Sequence, residues 1–361
     1  MRKLKTIMII FLITFIFIGC KKRINEDKTI EKEDKLIITE TPTPSPTPIE
    51  EIENHDGEIR SFLTGEWLAI EKAYNRPYAI QFSNYKTVRN QWGISEADIL
   101  YEALVEGGIT RIVGIGQNFQ ADRIGSVRSA RHYYVSFINL YDAIYIHYGK
   151  TKYATKKISE LGINNIDGTT GIGDTVFYRV SDLKAPHNAF TSISKIEEGI
   201  KKKGFNKELA EDYKGQYLFY NNDTDIKGVQ AVNKITLKHF NYNKPNFEYK
   251  SEDRMFYRFQ FGEPHKDSNT NEQLKFKNII VQFVKEWNID KNGYQTMDIE
   301  SAKGAGYYIT NGQLVNITWE MNENNKFICY YNDKGEVLNL NPGKTFIVIH
   351  PDNKISDVII E

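Results

Sequence analysis

The chain has 361 residues, 47 basic and 47 acidic side chains, seven histidines and two cysteines. This balance excludes a basic domain of the kind that tracks nucleic acid. With no HExxH pair and no cysteine cluster, it also excludes a dedicated metal site, and the length suits two domains better than one.

The first residues, MRKLKTIMIIFLITFIFIGC, join Arg2, Lys3 and Lys5 to an uncharged apolar run of thirteen residues, Thr6 to Ile18. A membrane-spanning helix needs ~20 such residues. A positive start, a short apolar core and small residues at the cut predict a secretory signal peptide over residues 1–19. Phe17-Ile18-Gly19-Cys20 resembles the lipobox of bacterial lipoproteins, although Phe17 departs from the usual leucine-like residue. That resemblance implies that Cys20 becomes the lipid-bearing first residue and holds the chain on the outer face of the cytoplasmic membrane. Cys329 is then left without a partner, so no intrachain disulfide is available. Within KFICYY it reads as a buried strand residue.

Residues 20–59 are charged, poor in aromatics and interrupted by TPTPSPTP. Such a segment buries too little apolar surface to offset its ordering entropy and reads as a tether. Its proline block favours an extended conformation.

From residue 60 to 225 short β-rich runs alternate with helical ones. PYAIQFSN, RIVGIGQNF, AIYIHYG and TVFYR read as strands. SARHYYVSFINL, with Ser129 as N-cap, TKYATKKISELG and TSISKIEEGIKKKG read as helices. The stretch SEADILYEALVEGG admits two readings. Ser95 and Asp98 could open a helix as a capping box, whereas the Gly107-Gly108 pair before RIVGIG suggests a hairpin.

Residues 226–361 change character. KFKNIIVQFVKEW, AGYYITNGQLVNITWEM, FICYYNDKGEVLNL and TFIVIH are β-rich, and Asn311-Gly312 and Lys334-Gly335 sit between strand-like runs as hairpin turns. The prediction is an α+β protein, with an N-terminal α/β layered domain followed by a smaller, mostly antiparallel β-rich domain.

The long motifs NRPYAIQFSNYKTVRNQWGISEADILYEALVEGGITRIVGIG, RIGSVRSARHYYVSFINLYDAIYIHYG, KAPHNAFTS, NGQLVNITWE and NPGKTFIVI together resemble the YerB family of bacterial lipoproteins, from about Leu63 to the C-terminus. Its two halves are domains of unknown function. The resemblance implies an architecture and an extracytoplasmic address, and no reaction.

Chemistry is concentrated in IGSVRSARHYY, where Arg123, Arg128 and Arg131 stand beside Ser126 and Ser129 ahead of a predicted helix. The positive end of that helix and two guanidinium groups would make an anion pocket. The internal alternative pairs these arginines with Glu96, Asp98, Glu102, Glu106 or Asp142. His147, at a predicted strand end, and Lys184, His187 and Asn188, in the loop KAPHN, are further candidate ligand-binding residues. Glu102 and Glu106 are the candidate catalytic residues. On a helix they would lie ~6 Å apart, within the spacing of a glycosidase pair; on a strand they would be ~13 Å apart. Tyr133, Tyr134, Tyr145, Tyr148 and Trp92 are either stacking surfaces for sugar rings or core. No Walker loop, GxSxG elbow or GxGxxG fingerprint occurs, and GTTGIGD has the wrong spacing, so no cofactor is predicted. The expected function is binding of an anionic cell-wall glycan or peptide through an Arg/Glu/His cleft. The alternatives are peptidoglycan cleavage by a glutamic acid and a scaffold for an envelope protein.

Overall fold

The computed structural model describes residues 55, 57–228, 230–300, 303–322 and 327–361. The predicted signal peptide 1–19, Cys20 and the tether up to residue 54 lie outside the described residues. The last predicted tether positions do not: Glu58–Arg60 pairs antiparallel with Trp67–Ala69, and His55 exchanges backbone hydrogen bonds with Glu58.

An eleven-stranded sheet organises the body. In the first half, Tyr78–Ser83, Ile144–His147 and Asn165–Asp167 run parallel to one another in that order. Parallel neighbours need a crossover, and the helices His132–Asn139 and Lys152–Glu160 lie on the connecting segments. Ile99–Leu104 and Thr110–Gly116 form an antiparallel hairpin. The helical reading of Ser95–Glu106 is thereby corrected: a single 3-10 turn, Ile94–Glu96, precedes a strand. Gly107 and Gly108 take φ of 76° and 70°, which residues with a Cβ adopt rarely, so they close the hairpin where a helix would have continued.

Two other predicted elements differ. TVFYR begins within a helical turn, Gly173–Val176, and holds only two strand residues, Tyr178–Arg179. The N-cap of His132–Asn139 is Arg131, with no side-chain cap. Ser129 lies too early for that role, and its hydroxyl donates to the Tyr148 carbonyl at 3.1 Å. The other two helices begin as predicted, with Thr151 and Ser192 accepting from backbone N–H groups of their first turns.

In the second half, Lys303–Thr310 and Gln313–Asn322 are joined by Asn311-Gly312 at φ of 50° and 71°, a turn that matches strand twist. Cys329, on Phe327–Tyr331, is half-buried rather than buried. Thr345–Pro351 lies parallel both to Asn278–Val284 and to Ile99–Leu104, with Val348 opposite Glu102. The strands of both halves therefore continue one sheet. A second, six-stranded sheet includes Lys234–Leu237, Asn246–Lys250 and Met255–Gln260.

Strand alternation sends the two sets of side chains into two cores. Ile99, Tyr101 and Ala103 join Tyr133, Tyr134, Phe137 and Tyr145 on the face covered by the His132–Asn139 and Lys152–Glu160 helices. Leu100 and Leu104 join Ile196, Ile200, Phe247 and Phe256 on the face covered by Ile193–Lys203 and the second sheet. Tyr133, Tyr134 and Tyr145 are thus core and not stacking surfaces.

Glu286 begins a short hairpin and stands largely buried, 3.9 Å from His239. Burial, and then Asp352, push its carboxyl up to about 7. A carboxyl raised in the fold favours folding when protonated, so this contribution is present below the unfolded value near 4.5 and is lost as pH rises through 7. Glu286→Gln should therefore be more stable than the wild type above pH 7, and the gap should close toward pH 4.5. Urea midpoints across that range measure it; a constant gap would contradict the shift.

Candidate functional site

The segment Ile124–Arg131 crosses the carboxyl ends of the parallel strands. Backbone hydrogen bonds place it there: Arg128 donates to the Gln81 carbonyl, Tyr148 to that of Arg128, Ala130 to that of Gly149 and Val127 to that of Ala189. Carboxyl ends of parallel strands are where α/β sheets usually place ligands.

Four arginines converge on this edge. Arg131 holds Glu106 with its Nε 2.9 Å from both carboxylate oxygens. Arg111, at the start of the Thr110–Gly116 strand, is buried and donates to the Ser129 carbonyl at 2.5 Å, an acceptor that Arg131 shares at 3.3 Å. Arg128 donates to the Pro186 carbonyl at 2.8 Å. Arg179 donates to Asn188 Oδ1 at 2.6 Å and to the Tyr148 hydroxyl at 3.2 Å, with its guanidinium over the Tyr148 ring. Gly168 makes room for that ring: a Cβ there would meet it at 2.2 Å.

Charge is unbalanced at this edge. Among the described residues no ion pair reaches Arg111, Arg128 or Arg179; Glu106 is ion-paired with Arg131 and acts on Arg111 only at longer range. Burial, followed by Arg131 and Arg128, pushes the Arg111 guanidinium down to about 9. Burial, Arg131 and Arg179 lower that of Arg128. Burial works against the Glu106 carboxylate, yet Arg131 outweighs it and holds the carboxyl below the ordinary range. His187 stacks on Tyr85 at 4.5 Å between ring centroids, and burial, Arg128 and Arg111 disfavour its protonation.

The sequence candidates therefore divide. Arg128, Ser129, Arg131, Glu106, His187 and Asn188 share this edge. Arg123 is elsewhere, paired with Asp182 at 2.8 Å and packed over Trp92 and Phe190. Lys184 is exposed and contributes its carbonyl to a turn. Ser126 is buried, and its hydroxyl has no hydrogen-bond partner. His147 is fully buried between the Gly149 carbonyl at 2.9 Å and Asn165 Oδ1 at 3.1 Å.

Glu102 and Glu106 do not form a pair. Glu102 points from its strand to the opposite face, where it meets Arg258 of the second half at 2.6 Å and accepts from Asn84, Thr110 and Asn243. His265 is buried in the same network beside Arg258 and Gln91. Each glutamate is consumed by an arginine, so neither is a free general acid. Sequence reasoning missed Arg111 and Arg179. A lone cation in the otherwise apolar RIVGIG was the available signal for Arg111; Arg179 offered none.

Fold and site together define an α+β protein with an undercompensated arginine cluster at the carboxyl ends of its parallel strands. The model of the N-terminal domain of DUF3048, a protein family of unknown function, matches residues 63–206, and that of its C-terminal domain matches residues 235–347. A candidate lipoprotein of Bacillus subtilis (strain 168), YerB, is 31% identical over 303 residues, which is 82% of this chain and 87% of that protein. The crystal structure of YerB from Bacillus subtilis superimposes with a TM-score of 0.74 at 29% identity, covering 84% of this chain and 99% of the other. The chain belongs to the YerB family.

Proposed function

We propose that this protein is a membrane-anchored extracytoplasmic lipoprotein that binds an anionic cell-wall component at Arg111, Arg128, Arg131 and Arg179. The observation that carries this reading is the charge count at the site, four guanidinium groups sharing one carboxylate. Even Arg111, pushed down to about 9, keeps its proton at neutral pH, so the mutual repulsion is relieved there by an incoming anion and not by loss of a proton. Carboxylate or phosphate groups suit the planar donors. The test is co-sedimentation of the mature chain with purified cell wall at rising salt. Binding should fall steeply with ionic strength, and an Arg128→Met/Arg179→Met double variant should stay in the supernatant. Retention of that variant at wild-type levels would overturn the reading.

The anchor rests on the lipobox-like ending at Cys20 and on the lipoprotein description of the Bacillus relative. Two acyl chains on one cysteine give stable attachment where one is marginal. Cys20→Ser should release or misprocess the protein, read by membrane fractionation and intact mass. Unchanged retention together with unchanged mass would exclude lipidation at this residue.

A further inference from the structure

At the end of the Ile99–Leu104 strand opposite to Glu106, a cleft of about 390 Å³ lies where the two halves meet. Its volume falls at the lower end of the range for small-molecule sites, which favour domain junctions and combine an apolar lining with a few polar groups. Leu100 from the first half and Met255, Leu274, Phe276 and Pro342 from the second form apolar walls.

Its polar groups are of both signs and separately placed. Lys344 is half-buried; its ammonium donates to the Ser95 carbonyl and is the charge that most favours ionisation of the buried Asp98 carboxyl, while two of its N–H donors make no hydrogen bond among the described residues. Lys277 is buried in the same wall and already paired with Asp223 at 2.7 Å. At the exposed rim, the carboxylates of Glu66 and Glu272 have no side-chain partner among the described residues. The cleft thus offers one partly shielded ammonium with free donors, two unpaired carboxylates and apolar walls within one small volume.

From this arrangement we infer that the cleft binds a small zwitterion with an apolar side chain, a free amino acid or a dipeptide. The ligand carboxylate takes the free donors of Lys344, its ammonium sits between Glu66 and Glu272, and its side chain lies against Leu100, Met255 and Phe276. Lys277 supplies no competing site because Asp223 neutralises it. This site is distinct from the arginine cluster and does not depend on the function proposed for it.

Isothermal titration of the mature chain with L- and D-leucine, L- and D-methionine, and the dipeptides Ala-Ala and Ala-Leu tests the inference. At least one should bind saturably, and its N-acetylated and C-amidated forms should bind at least tenfold more weakly. Lys344→Gln should abolish binding. Because Lys344 also holds the Ser95 carbonyl, the rim variant Glu66→Gln/Glu272→Gln provides a second reading without disturbing the interior, and it too should weaken binding at least tenfold. No saturable binding across the panel, equal binding of the capped forms, or wild-type affinity in the rim variant would each overturn the inference. Binding unaffected by Arg128→Met/Arg179→Met is expected, and its loss in that variant would place the ligand at the other site and refute this one.

Discussion

Arg258→Met should lower the stability of the folded body by about 3–5 kcal/mol, the range for breaking a buried ion pair on one side. Arg258 and Glu102 are both fully buried and 2.6 Å apart, one on the second sheet and one on the central sheet. Methionine keeps part of the side-chain volume but not the guanidinium, whose carbon lies over Phe247 and Phe346 at 5.8 and 5.0 Å from the ring centroids, so the loss reports the charged group with its ion pair and ring contacts. Glu102 would keep three hydrogen-bond donors, Asn84, Thr110 and Asn243, but no countercharge. Adding Glu102→Gln should recover part of the loss, since an amide needs no cation. The urea midpoint with an unchanged denaturant slope is the measurement. A loss of only ~1 kcal/mol, typical of an exposed pair, would show that water reaches the pair and that it does not clamp the two halves.

Arg128→Met and Arg131→Met should separate binding from stability, although the two residues are three apart. Arg131 is bound to Glu106 through two donors and is mostly buried. Its loss leaves a half-buried carboxylate unpaired and should cost on the order of 2–3 kcal/mol, less than a fully buried pair. Arg128 has a carbonyl for a partner and like charges for neighbours. Its replacement relieves repulsion on Arg111 and Arg131, so the melting temperature should hold or rise while cell-wall binding is lost. Thermal melts and co-sedimentation of the two single variants provide the comparison. Equal destabilisation by both, with wild-type wall binding in the Arg128 variant, would reduce the whole edge to an internal clamp.

The contrast between these two arginines also shows how far residue order reaches. Local pattern was sufficient for elements whose signal is local: the β-rich runs PYAIQFSN and AIYIHYG, the helices within TKYATKKISELG and TSISKIEEGIKKKG, and the Asn311-Gly312 turn are all where the sequence predicts them. It also determined the α+β class and the presence of a cationic segment ahead of the His132–Asn139 helix. It could not choose between helix and hairpin for SEADILYEALVEGG, because apolar residues there satisfy both periods and only pairing with Thr110–Gly116 and Thr345–Pro351 decides.

Which carboxylate meets which arginine was likewise decided by tertiary structure alone. Glu102 and Glu106 are four positions apart, yet one lies on a strand facing the second sheet and the other in the turn beyond it. They therefore find Arg258, 156 residues away, and Arg131, 25 residues away. Arg111 and Arg179 reach the site for the same reason. Charge pairing depends on distances of a few ångströms, and strand order across the sheet sets those distances where sequence spacing does not.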